Sequence, residues 1–226
     1  MIESNEKKLR YIELALVIAA AFLPSIIQSV YSCIFNIQIE IPDNINMYFL
    51  TAISHQLIAI SILVYVLYRQ GRKADDIVAP FSPVDILHTI GLFILPYLAY
   101  SLVYLTIRSL FPDLNLDSVN IEFMQKNITI FYVLFVLINP VFEELIVRAF
   151  LITEIVNITG KGSLAVVLSV LIQISYHLYQ GLIPAILLGI IFLTFSIYFL
   201  KYKRIMPIII AHALIDILAM IYYGKT

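Results

Sequence analysis

The chain predicts an all-α fold, a polytopic transmembrane bundle of about seven membrane-spanning helices, and three observations carry that prediction. Of its 226 residues, 62% are hydrophobic and only 13% are charged, with a mean hydropathy of +0.97. Soluble domains run at roughly 45–50% apolar and about 25% charged. The apolar residues also gather in seven runs, each near the roughly 20 residues that a helix needs to cross a hydrocarbon core. Finally, the basic residues alternate between the gaps that separate those runs. No gap has the composition of a soluble domain or a low-complexity tract, and no internal repeat is visible. Residues 1–226 are therefore expected to form a single integral membrane domain.

The runs fall at 11–35, 47–68, 84–107, 128–158, 163–179, 182–200 and 205–223. The first is longer than the roughly 7–15 residues of a signal-peptide core, and no A-x-A-like site closes it, so it is expected to persist as an anchor. Lys7, Lys8 and Arg10 precede it, and Arg69, Arg72 and Lys73 follow the second run. Lys161 lies between the fourth and fifth, and Lys201, Lys203 and Arg204 between the sixth and seventh. The opposite side has Arg108, Lys126 and Lys225. Basic loops stay cytoplasmic. This puts the N-terminus inside and the C-terminus outside, in a multi-pass protein of the cytoplasmic membrane.

Of the outer loops, 36–46 is short and acidic, with Glu40 and Asp43. The loop at 108–127 is long enough for a surface helix or a lid, or it is a plain connector. The fourth run contains Pro140, which removes a backbone donor and kinks a helix that passes through it. Alternatively, Asn139 and Pro140 are the N-cap and first residue of a new helix, whose positive end would then lie near Glu143.

A formal net charge of −1 gives no electrostatic case for nucleic acid. The single cysteine, Cys33, excludes an intrachain disulfide framework and a multi-cysteine metal centre. The composition makes membrane lipid the expected partner.

Charged residues inside a bilayer are costly and mark function by default, and the fourth run holds Glu143, Glu144 and Arg148. Glu144 and Arg148 are spaced i,i+4 and can pair along one helix face. Glu143 lies about 100° further round, free to face something else. His177 sits in ISYHLYQG on the fifth run. His212 and Asp216 share a face of the seventh, in AHALID, where Ala211 and Ala213 permit close helix approach. At about 1.5 Å per residue, Glu143 and His177 lie roughly 20 Å from the cytoplasmic ends of their helices, and His212 and Asp216 shallower. One polar cavity between the fourth, fifth and seventh helices can collect them all. A carboxylate with two imidazoles can activate water directly, with Glu143 as general base, or by holding a metal whose bound water turns acidic. Glu143, His177 and His212 are thus candidate metal ligands, and the cofactor stays open between a divalent metal such as zinc and none. By contrast, His55 is expected to be a packing residue, Asp85 and His88 solvated interfacial groups, and Glu13 and Glu154 end-of-helix charges without a function.

These segments resemble the motifs of the CPBP intramembrane proteases, the CAAX-protease and bacteriocin-processing (Abi) family: EExxxR, FxxxH and HxxxN on successive membrane helices. Here they stand as EELIVR from Glu143 to Arg148, with Pro140 three residues ahead, as QISYH ending at His177, and as HALID from His212 to Asp216. The resemblance covers residues 139–220, the expected catalytic core. It implies hydrolysis of a peptide bond at or within the membrane, in a peptide or membrane-protein substrate. On that basis Glu143 and His177 activate the water, His212 and its i+4 partner hold the oxyanion, and Glu144 with Arg148 is structural support. Both a metal-dependent and a metal-free glutamate mechanism go with the family. Its implied roles are CAAX-type processing, bacteriocin or peptide maturation, and self-immunity. Three positions depart from the pattern: Ala149 for glycine, Gln173 for Phe and Asp216 for Asn. An ionised Asp cannot donate to an oxyanion, although it can orient His212 or bind a cation. These departures also admit a non-enzymatic immunity or sensor-partner protein on the same fold. A small-solute or proton transporter would use buried Glu and His as well, and the lack of an inverted repeat counts against it.

Overall fold

The computed structural model describes residues 4–37, 43–73, 78–114, 116 and 128–223, and every regular element among them is helical. The helices are α1 (Ser4–Phe35), α2 (Ile45–Arg69), α3 (Val84–Leu110), α4 (Ile130–Glu144), α5 (Thr153–Thr159), α6 (Gly162–His177), α7 (Leu182–Tyr202) and α8 (Met206–Tyr223). A π-helical segment, Leu145–Ile152, joins α4 to α5 without a break, and a 3₁₀ turn, Leu178–Gln180, extends α6. Side chains that accept from the first turn set two of the starts: Asn44 bonds the Met47 amide at 3.0 Å and Thr129 the Tyr132 amide at 3.3 Å. Gly160 ends α5 in the left-handed region, φ 69°, which a residue without Cβ adopts freely.

Six helical runs are long and apolar enough to cross a membrane: α1, α2, α3, Ile130–Thr159, α6 with its extension, and α7. The last apolar run is shorter, at Met206–Tyr222. The seven predicted runs are all present, displaced by a few residues at their ends. The expectation of a lid or surface helix in loop 108–127 falls outside the described residues beyond Leu114, apart from Leu116.

The outside of the bundle is apolar, as lipid requires. On α3, Leu95, Leu98, Leu102 and Leu105 are each more than half exposed, which makes this the most peripheral helix. The run from α4 to α5 is the opposite case. Ile146, Val147, Ala149, Phe150 and Ile152 are wholly buried, and a helix that is apolar all round belongs in the centre. It is enclosed by α1, α6 and α7.

Pro140 does not begin a helix. α4 runs past it from Ile130 to Glu144, and the chain then widens into the π-helical turns. The alternative with Asn139 as an N-cap is therefore corrected: the Asn139 side chain bonds to Glu143 and Gln56 instead. Pi-helical turns are rare and recur at functional sites, and this one starts directly after the two glutamates.

At the basic end, three acidic side chains are buried and each is met by arginine. Glu154, with no exposure, is paired with Arg72 and, at 3.6 Å, with Arg10. Glu13 is paired with Arg69 and accepts from Gln70 at 2.9 Å. The expectation that Asp85 is solvated is corrected. It is buried, accepts from the Ser82 amide at 2.9 Å and is clasped by Arg204, whose Nη2 lies 2.7 Å away. The linker carrying Arg204 folds over it, which neighbouring sequence does not announce. His88 is likewise engaged, with its Nδ1 2.8 Å from the Tyr198 hydroxyl. His55 is a packing residue as expected, donating from Nε2 to the Ala20 carbonyl at 2.9 Å.

Removing one partner of a buried ion pair costs about 3–5 kcal/mol, because the other charge is stranded. Glu154→Ala should therefore lower the thermal midpoint of the purified protein markedly. Arg72→Ala should lower it less, since Arg10 still faces Glu154. Thermal unfolding in detergent, followed by near-UV circular dichroism, measures both.

Candidate active site

Glu143 lies in the last turn of α4, buried at 6% exposure. Its two carboxylate oxygens are held from different directions. Oε1 accepts from Asn139 Nδ2 at 2.9 Å, and Oε2 accepts from the Tyr176 hydroxyl at 2.6 Å. Each donor is fixed in turn. Asn139 Oδ1 accepts from Gln56 Nε2 of α2 at 2.7 Å. The Tyr176 ring stacks on Phe22 of α1, with centroids 4.8 Å apart and planes 5° apart, and its backbone carbonyl accepts from Ser29 Oγ at 2.7 Å. Four helices thus orient one carboxylate.

Glu144 points elsewhere, as the helical spacing predicts. Its Oε1 accepts from Arg148 Nη1 at 3.1 Å, which is the expected i,i+4 clasp, and also from His212 Nδ1 at 2.7 Å. The pair therefore reaches across to α8 as well as along its own helix. Glu144 and Arg148 have no exposure. The Arg148 guanidinium lies 5.7 Å from the Phe192 ring centroid and 5.8 Å from that of Phe195, within the range of a cation–π contact.

His212 Nε2 is 3.6 Å from Asp216 Oδ1, so Asp216 stands beside the ring at the far nitrogen, beyond hydrogen-bond range. A carboxylate thus faces each nitrogen of the imidazole. Only a ring with a proton on both nitrogens can donate in both directions.

His177 is the last residue of α6, where the helix tightens into its 3₁₀ turn. Its Nδ1 is 2.8 Å from the carbonyl oxygen of Gln173. A carbonyl can only accept, so Nδ1 carries the proton, and Nε2 of the neutral ring is left as an acceptor. Gln173, standing where the motif has Phe, is itself fully buried.

Glu143, His177, His212 and Asp216 line a single cavity of about 260 Å³, together with Asn139 and Tyr176. Glu144 and Arg148 lie behind its wall. Of the six predicted site residues, four meet at the cavity and two brace it. Sequence reasoning missed Asn139, Tyr176 and Gln56. Asn139 is four residues before Glu143 and could have been found by helical spacing. Tyr176 adjoins His177 but carried no signal of its own, and Gln56 none at all.

Among the described residues, no three His, Cys, Asp or Glu side chains are grouped so as to hold a metal ion. His212 Nδ1 is turned to Glu144 and His177 Nδ1 to the Gln173 carbonyl. The arrangement does not fit the metal set Glu143, His177 and His212, and no step below passes through a metal.

Residues 125–218 match the model of a family described as type II CAAX prenyl endopeptidase Rce1-like. Over this segment the chain is similar to the Rce1-like family. The match contains all three motifs and agrees with the resemblance seen over 139–220. The six helical runs long and apolar enough to cross a membrane make this a multi-pass membrane protein, and its 125–218 segment resembles that of a CAAX-type protease family. No curated protein and no solved structure matches the chain.

The ion pair behind the cavity wall gives a test of structure alone. Arg148→Ala leaves Glu144 with His212 as its remaining partner and should destabilise the purified protein by less than the about 3–5 kcal/mol of a fully stranded charge, whereas neutralising a whole buried pair is often near neutral. A Glu144→Gln/Arg148→Met double variant should thus recover much of the thermal midpoint lost by Arg148→Ala.

Proposed function

We propose that the chain is an intramembrane endopeptidase in which Glu143 is the general base. The single observation behind this reading is the clamped Glu143 carboxylate on a cavity wall shared with His177 and His212. Its substrate is a membrane-associated peptide or a segment of a membrane protein, and its setting is the cytoplasmic membrane, with the basic loops on the cytoplasmic side.

In the proposed reaction, Glu143 removes one proton from a water in the cavity as the water oxygen attacks the scissile carbonyl carbon. His177 Nε2 accepts a hydrogen bond from the remaining O–H and aims the nucleophile. The carbonyl oxygen becomes an oxyanion, and His212 Nε2–H is the donor available to it. Asp216 steers that ring without donating. The intermediate collapses by breaking the C–N bond, and the proton held on Glu143 passes to the departing amine, leaving a carboxylic acid and an amine. Tyr176 and Asn139 are positioning residues that keep the Glu143 oxygens on the cavity side. Glu144 and Arg148 hold His212 at its Nδ1 and brace the helix. Residues 139–220 form the catalytic core, supported by α1 and α2 from the preceding part of a single membrane domain.

General-base catalysis contributes typically 10²–10⁴-fold. Glu143→Gln should accordingly lower cleavage of a quenched fluorogenic peptide mixture by about 100-fold or more, with membrane insertion and thermal midpoint retained. Proteolysis at the original rate would remove Glu143 from the role. Tyr176→Phe keeps the ring stack and loses one hydrogen bond to a charged group, worth about 1.5–3 kcal/mol. In the same assay it should slow turnover by roughly tenfold or more, as that energy range implies.

A further inference from the structure

The cavity has a direction, and the charges have one too. Its outer lining comes from the same end of every helix that contributes. Gln28 is near the C-terminal end of α1, Tyr48 and Tyr132 are in the first turns of α2 and α4, Gln180 follows α6, and Ala219 is in the second half of α8. Glu143 lies roughly 20 Å from the start of α4, at about 1.5 Å per residue, and so forms the floor. His177 ends α6, and the turn after it carries Gln180.

Beyond that floor the bundle is closed among the described residues. Val147, Phe150, Ile152, Phe199 and Ile205 are at most 1% exposed, and the ion pairs of Glu154 and Asp85 follow. This closed end is the one that carries Lys7, Lys8, Arg10, Arg69, Arg72, Lys161, Lys201, Lys203 and Arg204. Basic loops are retained on the cytoplasmic side. The mouth is therefore on the opposite face.

We propose that the site takes its peptide from the extracytoplasmic face of the membrane. For the word peptide this rests on the proteolytic reading above; the sidedness rests on the lining and the charges. A substrate that enters from this face is an exported peptide or the outer flank of a membrane protein.

The test uses the full chain in cells with Cys33→Ser as background. Gln28→Cys and Gln180→Cys report the mouth, and Lys161→Cys and Lys201→Cys report the basic end. A membrane-impermeant fluorescent maleimide is added to spheroplasts and, separately, to inverted vesicles. Label should enter the first pair in spheroplasts and not in inverted vesicles, and the second pair in the reverse pattern. Labelling of the mouth pair from the same face as Lys161→Cys, or from the inner face, overturns the proposal. Purified protein is then placed in proteoliposomes whose orientation is scored by the Lys201→Cys label, with the fluorogenic peptide mixture trapped inside or added outside. Cleavage confined to the mouth face is expected, and cleavage confined to the basic face overturns the proposal. Turnover from neither face, equal to that of Glu143→Gln, removes the proteolytic reading, and the labelling pattern still decides the side.

Discussion

A carboxylate buried in a membrane protein must be met by donors, and Glu144 is met from two helices at once. Arg148 reaches it along the central helix and His212 reaches it from α8. That one junction fixes where α8 lies against the centre of the bundle, and with it the imidazole that faces the cavity. It also decides the orientation of its neighbour. Consecutive residues on a helix diverge by about 100°, so anchoring Glu144 inward turns Glu143 towards Tyr176 and Asn139. The structural glutamate and the proposed catalytic one are adjacent for that reason. Among the described residues, Arg148 Nε and Nη2 have no hydrogen-bond acceptor, and the rings of Phe192 and Phe195 provide the surroundings instead.

What was legible in the sequence was local or compositional. Seven apolar runs followed from hydropathy, and the Glu144–Arg148 clasp followed from i,i+4 spacing. The separation of Glu143 from Glu144 followed from the helical angle. The convergence of Glu143, His177 and His212 followed from depth along three helices, because membrane helices share an axis and rise per residue fixes height. Tertiary donors were not legible. Gln56 is 83 residues from Asn139, and no local pattern connects them. Asp85 looked like an ordinary interfacial charge because Arg204, which buries it, comes 119 residues later. Pro140 allowed two local readings, and the tertiary use of the Asn139 side chain selected between them.

The two ends of the bundle solve the burial of polar groups in different ways. At the basic end, acid and arginine cancel pairwise over a packed core. At the other end, the polar groups are arranged around a cavity, and several keep a donor or acceptor turned inward. His177 Nε2 is one and His212 Nε2 is another. A fully satisfied network rigidifies a protein, whereas groups left open to a cavity can act on something that enters it. The asymmetry separates scaffold from site along the membrane normal.

The Asp at position 216 is best understood through the same junction. An Asn there could donate to an oxyanion directly, and an ionised Asp cannot. Yet the carboxylate also changes what is asked of His212. With Glu144 accepting at Nδ1 and Asp216 facing Nε2, the ring meets both neighbours only when both nitrogens bear protons. At 3.6 Å the Nε2 proton is not committed to Asp216, so it can turn to a negative oxygen in the cavity. In the proposed reaction, then, replacing Asn by Asp moves the donor from residue 216 onto His212 without removing it from the site. The departure that most strained the resemblance to the family is compatible with its chemistry because Glu144 holds the other side of the same ring.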